Sequence, residues 1–287
     1  MNPIPTFQSV PFAKGHGTQN DFIVLPDPEG QLNLTARQVI QLCDRRSGIG
    51  ADGILRAVRS ATLPRPDPMA AEAEWFMDYR NADGSFGTMC GNGIRVLARY
   101  LVATGLAEPG TLIIDTRAGP RTVRVQQYAH GPVSVMMGRP RYPGPNNVEV
   151  AVAGLRWPAL HVDMGNPHAV VLLNDPAQAG DLATAPIVTP ATAYPHGVTV
   201  EFVAVRAPGR LAMRVHERGV GETRSCGTGA CAAVAAVHQQ RPRQPGTAQY
   251  SVEVPGGQLH VTVNPDGSLE LTGPAEIVAR GAVDLPD

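Results

Sequence analysis

Lysine is nearly absent: Lys14 is the only one in 287 residues. A Schiff-base site for pyridoxal phosphate needs a lysine in a recognisable setting. Lys14 stands before a glycine-rich turn and has no such context. No Cys-x-x-Cys or His-x-x-x-His spacing occurs, so a structural zinc site has no ligand set. Four cysteines are too few for a disulfide scaffold in a chain this long. No stretch approaches the roughly 20 apolar residues of a membrane span. Met1-Asn2-Pro3-Ile4-Pro5 lacks the basic and apolar regions of a secretory signal. A net charge of -1 argues against a nucleic-acid partner. The expectation is a reduced, cytoplasmic, metal-free protein that acts on a small molecule.

What is present favours a large core. Hydrophobic residues are 43% and charged residues 17%, which excludes a disordered chain, and the length is that of about two domains. Helix signals are few. Thr35-Ala36-Arg37-Gln38 is a capping box with Leu34 and Val39 as a staple, and predicts a helix to about Arg45. Ile94, Leu97, Ala98 and Leu101 form an amphipathic stripe. Ala230 to Val237 is uniformly small and apolar, which predicts a helix buried on all sides. Strand signals are many: 22–25, 54–58, 113–116, 123–126, 148–152, 161–164, 169–173, 198–205, 211–215, 250–254 and 259–263. This balance predicts an α+β fold of mixed sheets, each curled around a central helix. Residues 59–73, 131–132, 140–147 and 239–249 read as loops.

The halves share an order. Asn20-Asp21-Phe22-Ile23-Val24-Leu25 resembles Asn166-Pro167-His168-Ala169-Val170-Val171, each far upstream of a Cys-Gly-x-Gly segment. We read two pseudo-symmetric domains from an internal duplication: residues 1–135, with 274–287 returning to them, and residues 136–273.

Gly48-x-Gly50-x-x-Gly53 matches a dinucleotide fingerprint, but that motif must follow a strand and open a helix. Here it follows a helix and runs into a strand, so it reads as a turn. Cys90-Gly91-Asn92-Gly93 and Cys226-Gly227-Thr228-Gly229 are different. Cys43 and Cys231 fit the ordinary role of a small buried hydrophobe. Cys90 and Cys226 each precede a glycine-rich turn at a helix start, where unpaired N–H groups favour a thiolate and bind anions. Facing each other across an amino acid, the two segments would cradle its α-carboxylate. One sulfur would take the α-proton and the other would return a proton to the opposite face, with no cofactor. Such a pair titrates as a unit. His168 could orient a cysteine or be purely structural. Glu217-Arg218 could clamp a zwitterion or form a surface ion pair.

Together these segments resemble the diaminopimelate epimerase family. The resemblance rests on Gly15 to Phe22, Arg46 to Gly53, Asn81 to Ser85, Cys90 to Gly93, Gly165 to His168, Glu217 to Gly219, Gly221 to Thr223 and Cys226 to Gly229, in the family's order. It implies two α/β domains with a site between them, the last strand returning to the first domain, and a homodimer. It implies Cys90 and Cys226 as the acid/base pair and Gly91, Asn92, Gly227 and Thr228 around the α-carboxylate. Asn20, Asn81, Asn166, Glu217 and Arg218 would hold the rest of the substrate, with His168, Gly53 and Thr199 supporting. The reaction implied is interconversion of LL- and meso-diaminopimelate without a cofactor. Two departures stand out: Thr199 replaces an asparagine usual in Gly-Val-Asn-x-Glu-Phe, and Phe86-Gly87-Thr88-Met89 is unusually apolar. The alternatives are a proline or hydroxyproline racemase, whose paired cysteines are similar, and a binding protein that has lost turnover.

Overall fold

The computed structural model describes residues 8–63, 72–127, 131–144, 147–240 and 246–285. Eighteen strands and three α-helices are found among them, an α+β fold. In chain order the first run is β1 (Gln8–Gly17), β2 (Asn20–Pro26), α1 (Ala36–Cys43), β3 (Gly53–Arg59), β4 (Trp75–Asn81), α2 (Gly91–Ala103), β5 (Gly110–Asp115) and β6 (Arg121–Val125). The second run is β7 (Pro132–Gly138), β8 (Val148–Val152), β9 (Leu155–Asp163), β10 (Pro167–Leu173), β11 (Ile187–Thr189), β12 (Thr199–Ala207), β13 (Arg210–Glu217), β14 (Gly221–Thr223), α3 (Gly227–Gln239), β15 (Ala248–Val254), β16 (Gly257–Val263) and β17 (Leu269–Pro274). The last strand is β18 (Glu276–Leu285). Among the described residues no helix is long and apolar enough to cross a membrane.

The chain divides into two compact units. Unit 1 takes the described residues within 1–17, 21–133 and 275–287, and unit 2 those within 18–20 and 134–274. In unit 1, β2 runs parallel to β3, β3 antiparallel to β4, β4 parallel to β5 and β5 antiparallel to β6. In unit 2, β10 runs parallel to β12, β12 antiparallel to β13, β13 parallel to β15 and β15 antiparallel to β16. The sequence of pairings is the same, and in each unit the helix before the second parallel step follows a Cys-Gly-x-Gly segment. The duplication is therefore one of topology as well as of motif. β18 pairs with β1 over nearly its whole length.

The helices depart from expectation in two respects, the burial of α2 and the end of α1. α3 is buried from Gly227 to Val237, as its small residues predict. α2 is buried from Gly91 to Leu101 as well, so its polar face is not a solvent face. Arg95 and Arg99 lie within it, and their guanidinium groups donate to the carbonyls of Gly91, Gln126 and Gly131 and to Asn92 Oδ1. Backbone carbonyls can satisfy a guanidinium fork without a counter-charge. α1 stops at Cys43, two residues short of the expected end, where Asp44 turns extended. The Thr35 capping box forms, and Leu34, Val39, Leu42 and Cys43 join a core with Ile23, Leu25 and Ile54.

The region around 131–132 is not wholly loop, because β7 begins at Pro132 and buries Val133, Val135 and Met137 in alternation. The loops expected at 59–73 and 239–249 lie partly outside the described residues. Of the first, 59–63 complete β3 and a short 3-10 turn; of the second, α3 extends to Gln239 and β15 starts at Ala248. Gly48 and Gly53 are required by packing: a Cβ would sit 2.1 Å from the Gln41 carbonyl oxygen and 2.5 Å from that of Arg80, respectively. The glycine fingerprint is thus a turn between α1 and β3.

Candidate active site

Both cysteines of the repeat are helix N-caps. Cys90 caps α2 with φ -140 and ψ 119, and Cys226 caps α3 with φ -126 and ψ 117. In each, the amide of the glycine three residues on, Gly93 or Gly229, donates to the sulfur at 3.4 Å. A sulfur takes the place usually held by a Ser or Asp oxygen, and the first amides of each helix have no intrahelical acceptor. Each segment thus joins one sulfur to an anion-binding helix start.

The surroundings of Cys226 are anionic. Its sulfur lies 3.4 Å from the Thr228 hydroxyl and shares a hydrogen bond with Glu217. The Thr223 hydroxyl also donates to Glu217. Burial pushes the Glu217 carboxyl up to about 6, although the bonds from Thr223 and Cys226 oppose the rise. Burial likewise pushes the Cys226 thiol well above its ordinary range; Glu217 and Glu201 add to the effect, and Thr228 and the Gly229 amide oppose it only in part. The helix start does not make this sulfur a thiolate, because desolvation and two carboxylates outweigh its amides.

The residue missing from the sequence reading is Glu201, on β12. It is wholly buried and bonds His168 Nδ1 at 2.6 Å. Its signal was present as a single charge inside the apolar run 198–205. Thr199, two residues before it and also buried, accepts the Arg218 amide at 3.4 Å. The Arg218 side chain is exposed and donates to the His196 carbonyl at 3.1 Å. Asn166 is partly buried in the turn before β10, where its carbonyl accepts the Met164 amide. The segment Thr18-Gln19-Asn20 belongs to this unit. Thr18 and Gln19 have positive φ, and the Thr18 hydroxyl meets that of Ser225, the residue before Cys226, at 2.5 Å. Asn20, 8% exposed, is thereby carried on a segment tied to the second cysteine.

Unit 1 holds Cys90, Gly91, Asn92, Asn81 and Gly53. Cys90 is partly buried, whereas Asn92 is fully buried with Oδ1 accepting from Arg95 at 2.9 Å. What Asn92 can offer an anion is its backbone amide. Asn81 Nδ2 donates to Ser85 Oγ at 2.9 Å in the turn that leads to Cys90, and Gly53 pairs with Asn81 in the β3–β4 ladder. Phe86, in the unusually apolar segment, is 59% exposed and has two guanidinium groups near its ring, Arg80 at 3.7 Å and Arg117 at 4.4 Å from the centroid. Both arginines, with Arg56, converge on the buried carboxylate of Asp78. Lys14 is engaged by Asp21 Oδ2 at 2.6 Å and by the Gly50 carbonyl.

The family profile for diaminopimelate epimerase matches residues 12–143 and 160–278. The chain belongs to the diaminopimelate epimerase family. It is an isomerase of the epimerase type. A diaminopimelate epimerase of Streptomyces coelicolor is 55% identical over 279 residues, covering 96% of either chain. One from Thermobifida fusca is 47% identical over 282 residues, covering 96% of this chain and 98% of its own. Solved structures share the fold at far lower identity. A phenazine biosynthesis protein of the PhzF family from Bacillus anthracis has a TM-score of 0.69 at 15% identity, covering 96% of this chain and 99% of its own. A hydroxyproline epimerase from Agrobacterium vitis, solved with trans-4-hydroxy-L-proline, also has a TM-score of 0.69 at 15% identity, covering 99% and 95%.

Proposed function

We propose that this member of the diaminopimelate epimerase family interconverts LL- and meso-2,6-diaminopimelate by a two-base mechanism that uses no cofactor, in the formation of lysine and peptidoglycan precursors. The observation that carries the mechanism is the matched pair of cysteine caps, each with a 3.4 Å amide bond to sulfur. The substrate assignment rests on the relatives of that name at 44–55% identity over nearly the whole chain. Cys90, as thiolate, removes the α-proton of the LL substrate, and Cys226, as thiol, protonates the opposite face; the reverse reaction exchanges the roles. The resting state of Cys226 fits this division, because burial and two carboxylates favour its thiol. Charge that develops in the substrate carboxylate is met by the amides of Gly91, Asn92, Gly227 and Thr228. Asn20, Asn81, Asn166, Glu217 and Arg218 hold the remainder of the substrate. Thr199 and His168 support the second cysteine's surroundings, and Gly53 supports the turn at Asn81. The engagement of Lys14 by Asp21 and Gly50 leaves no lysine poised for a Schiff base.

The test is incubation with LL-diaminopimelate in D2O. The expected result is Cα deuterium in the epimerised product together with a change in optical rotation. Absence of both, with exchange into proline instead, overturns the assignment.

A further inference from the structure

Glu201, His168 and Cys226 are buried together, with Glu217 partly buried beside them, in a cluster whose charges do not balance. The ladders place the three sheet residues on one face. Glu201 pairs with Val170 and with Val215, and His168 and Glu217 each lie two residues from those partners, so period-two alternation points all three the same way. α3 packs on these same strands. Glu201 Oε1 lies 2.6 Å from the place a Cβ on Gly229 would occupy, and Cys226 Sγ lies 3.3 Å from the same place. The carboxylate and the sulfur therefore flank one glycine. Glu201 and His168 are both 0% exposed, and Glu201 Oε2 and His168 Nε2 have no hydrogen-bond partner among the described residues. The groups that face Glu201 are His168 from β10, Glu217 from β13, Cys226 from the α3 start and the Tyr194 phenol. Among the described residues no arginine or lysine joins them. A buried carboxylate without a permanent cation is costly, and here its hydrogen-bonded partner is an imidazole that can itself carry the proton.

We propose that Glu201, hydrogen-bonded to His168, is a positioning residue that keeps the Cys226 sulfur in its thiol form while the enzyme is empty. A two-base epimerase must rest with one sulfur protonated and the other not. Two carboxylates beside Cys226 disfavour a third negative charge there, so the proton resides on this sulfur. Glu201 thereby selects which free-enzyme form predominates. The inference deepens the two-base reading and rests on it for its consequence in turnover.

The experiment reads the sulfur without substrate. Thiolate absorbance at 240 nm is titrated in wild type and in Glu201→Gln, each with and without Cys226→Ser, so that the difference isolates Cys226. The expected result is at least tenfold more Cys226 thiolate in the Gln variant at a given pH. An unchanged Cys226 titration in a folded Glu201→Gln protein overturns the proposal. A merely structural Glu201 would lower the melting temperature and leave the titration in place. Should the variant not fold, long-range 1H–15N spectra of histidine-labelled wild type decide the matter. A neutral His168 imidazole with its proton on Nδ1, which leaves Glu201 ionised beside Cys226, supports the proposal, and an imidazolium or an unprotonated Nδ1 overturns it. Failure of the substrate assignment would leave both readouts standing, so the two failures are distinguishable.

Discussion

Glu217 should make the protein less stable than it could be at neutral pH. Its carboxyl is raised from 4.5 to about 6 by burial, net of the opposing bonds from Thr223 and Cys226. A carboxyl with a raised folded-state pKa binds its proton more tightly in the native protein than in the unfolded chain. Its stabilising contribution is complete below pH 4.5 and is lost as the pH rises through about 6. The shift corresponds to about 2 kcal/mol once the group is fully ionised. Glu217→Gln keeps the shape and an acceptor for the Thr223 hydroxyl but cannot ionise. Thermal melts of the two proteins should nearly coincide at pH 4. At pH 8 the variant should melt higher by roughly 4–8 °C. If Glu217 holds substrate as proposed, the same variant should lose epimerase activity, an exchange of function for stability. A melting difference that is the same at both pH values, or a variant less stable at pH 8, would refute the reasoning.

Three further outcomes follow from the same geometry. Cys90→Ala and Cys226→Ala should each lower epimerisation at least about 100-fold with circular dichroism unchanged; full activity in either would remove that sulfur from the mechanism. Asp78→Asn should destabilise unit 1 by about 3–5 kcal/mol, because Arg56, Arg80 and Arg117 converge on a carboxylate that is 1% exposed. Burial alone would raise this carboxyl, but Arg117 and Arg80 hold it below 3.8, so its contribution is present above that value and is lost on further acidification; urea melts against pH check both points. Gly229→Ala should cost about 1–3 kcal/mol and disturb the Cys226 titration, because the new Cβ would stand 2.6 Å from Glu201 Oε1.

Much of the fold was legible where the pattern is local. The small-residue run 230–237 predicted a fully buried α3, and the alternating or apolar runs located β10, β12, β13, β15 and β16. β4 escaped notice because Asp78 and Arg80 interrupt its apolar pattern, although an ion cluster buries both. α2 misled for the same reason: its arginines mark a polar face in sequence but dock on carbonyls in the fold. β1 and β18 carry glycine and alanine, and β18 is exposed along much of its length, so it is their mutual pairing that makes them strands. The cysteine caps needed four consecutive residues to be seen. Glu201 needed the β10–β12 register, which joins residues 33 apart.

The duplicated frame gives the two sulfurs the same backbone and different electrostatic settings. Behind Cys90, a buried guanidinium sits in the first turn of α2, where Arg95 bonds the Gly91 carbonyl and the Asn92 side chain. Beside Cys226, the corresponding turn has Thr228 and Gly229 and faces Glu217 and Glu201. In the proposed mechanism, a perfectly symmetric pair would have no reason to place its single proton on one sulfur. Charges carried by positions outside the shared Cys-Gly-x-Gly segment break that symmetry while the caps keep their matched 3.4 Å geometry. The repeat explains why two sulfurs are equally well presented. In the proposed mechanism, the two glutamates beside Cys226 favour the proton on that sulfur in the empty enzyme, the asymmetry from which inversion by two bases would start.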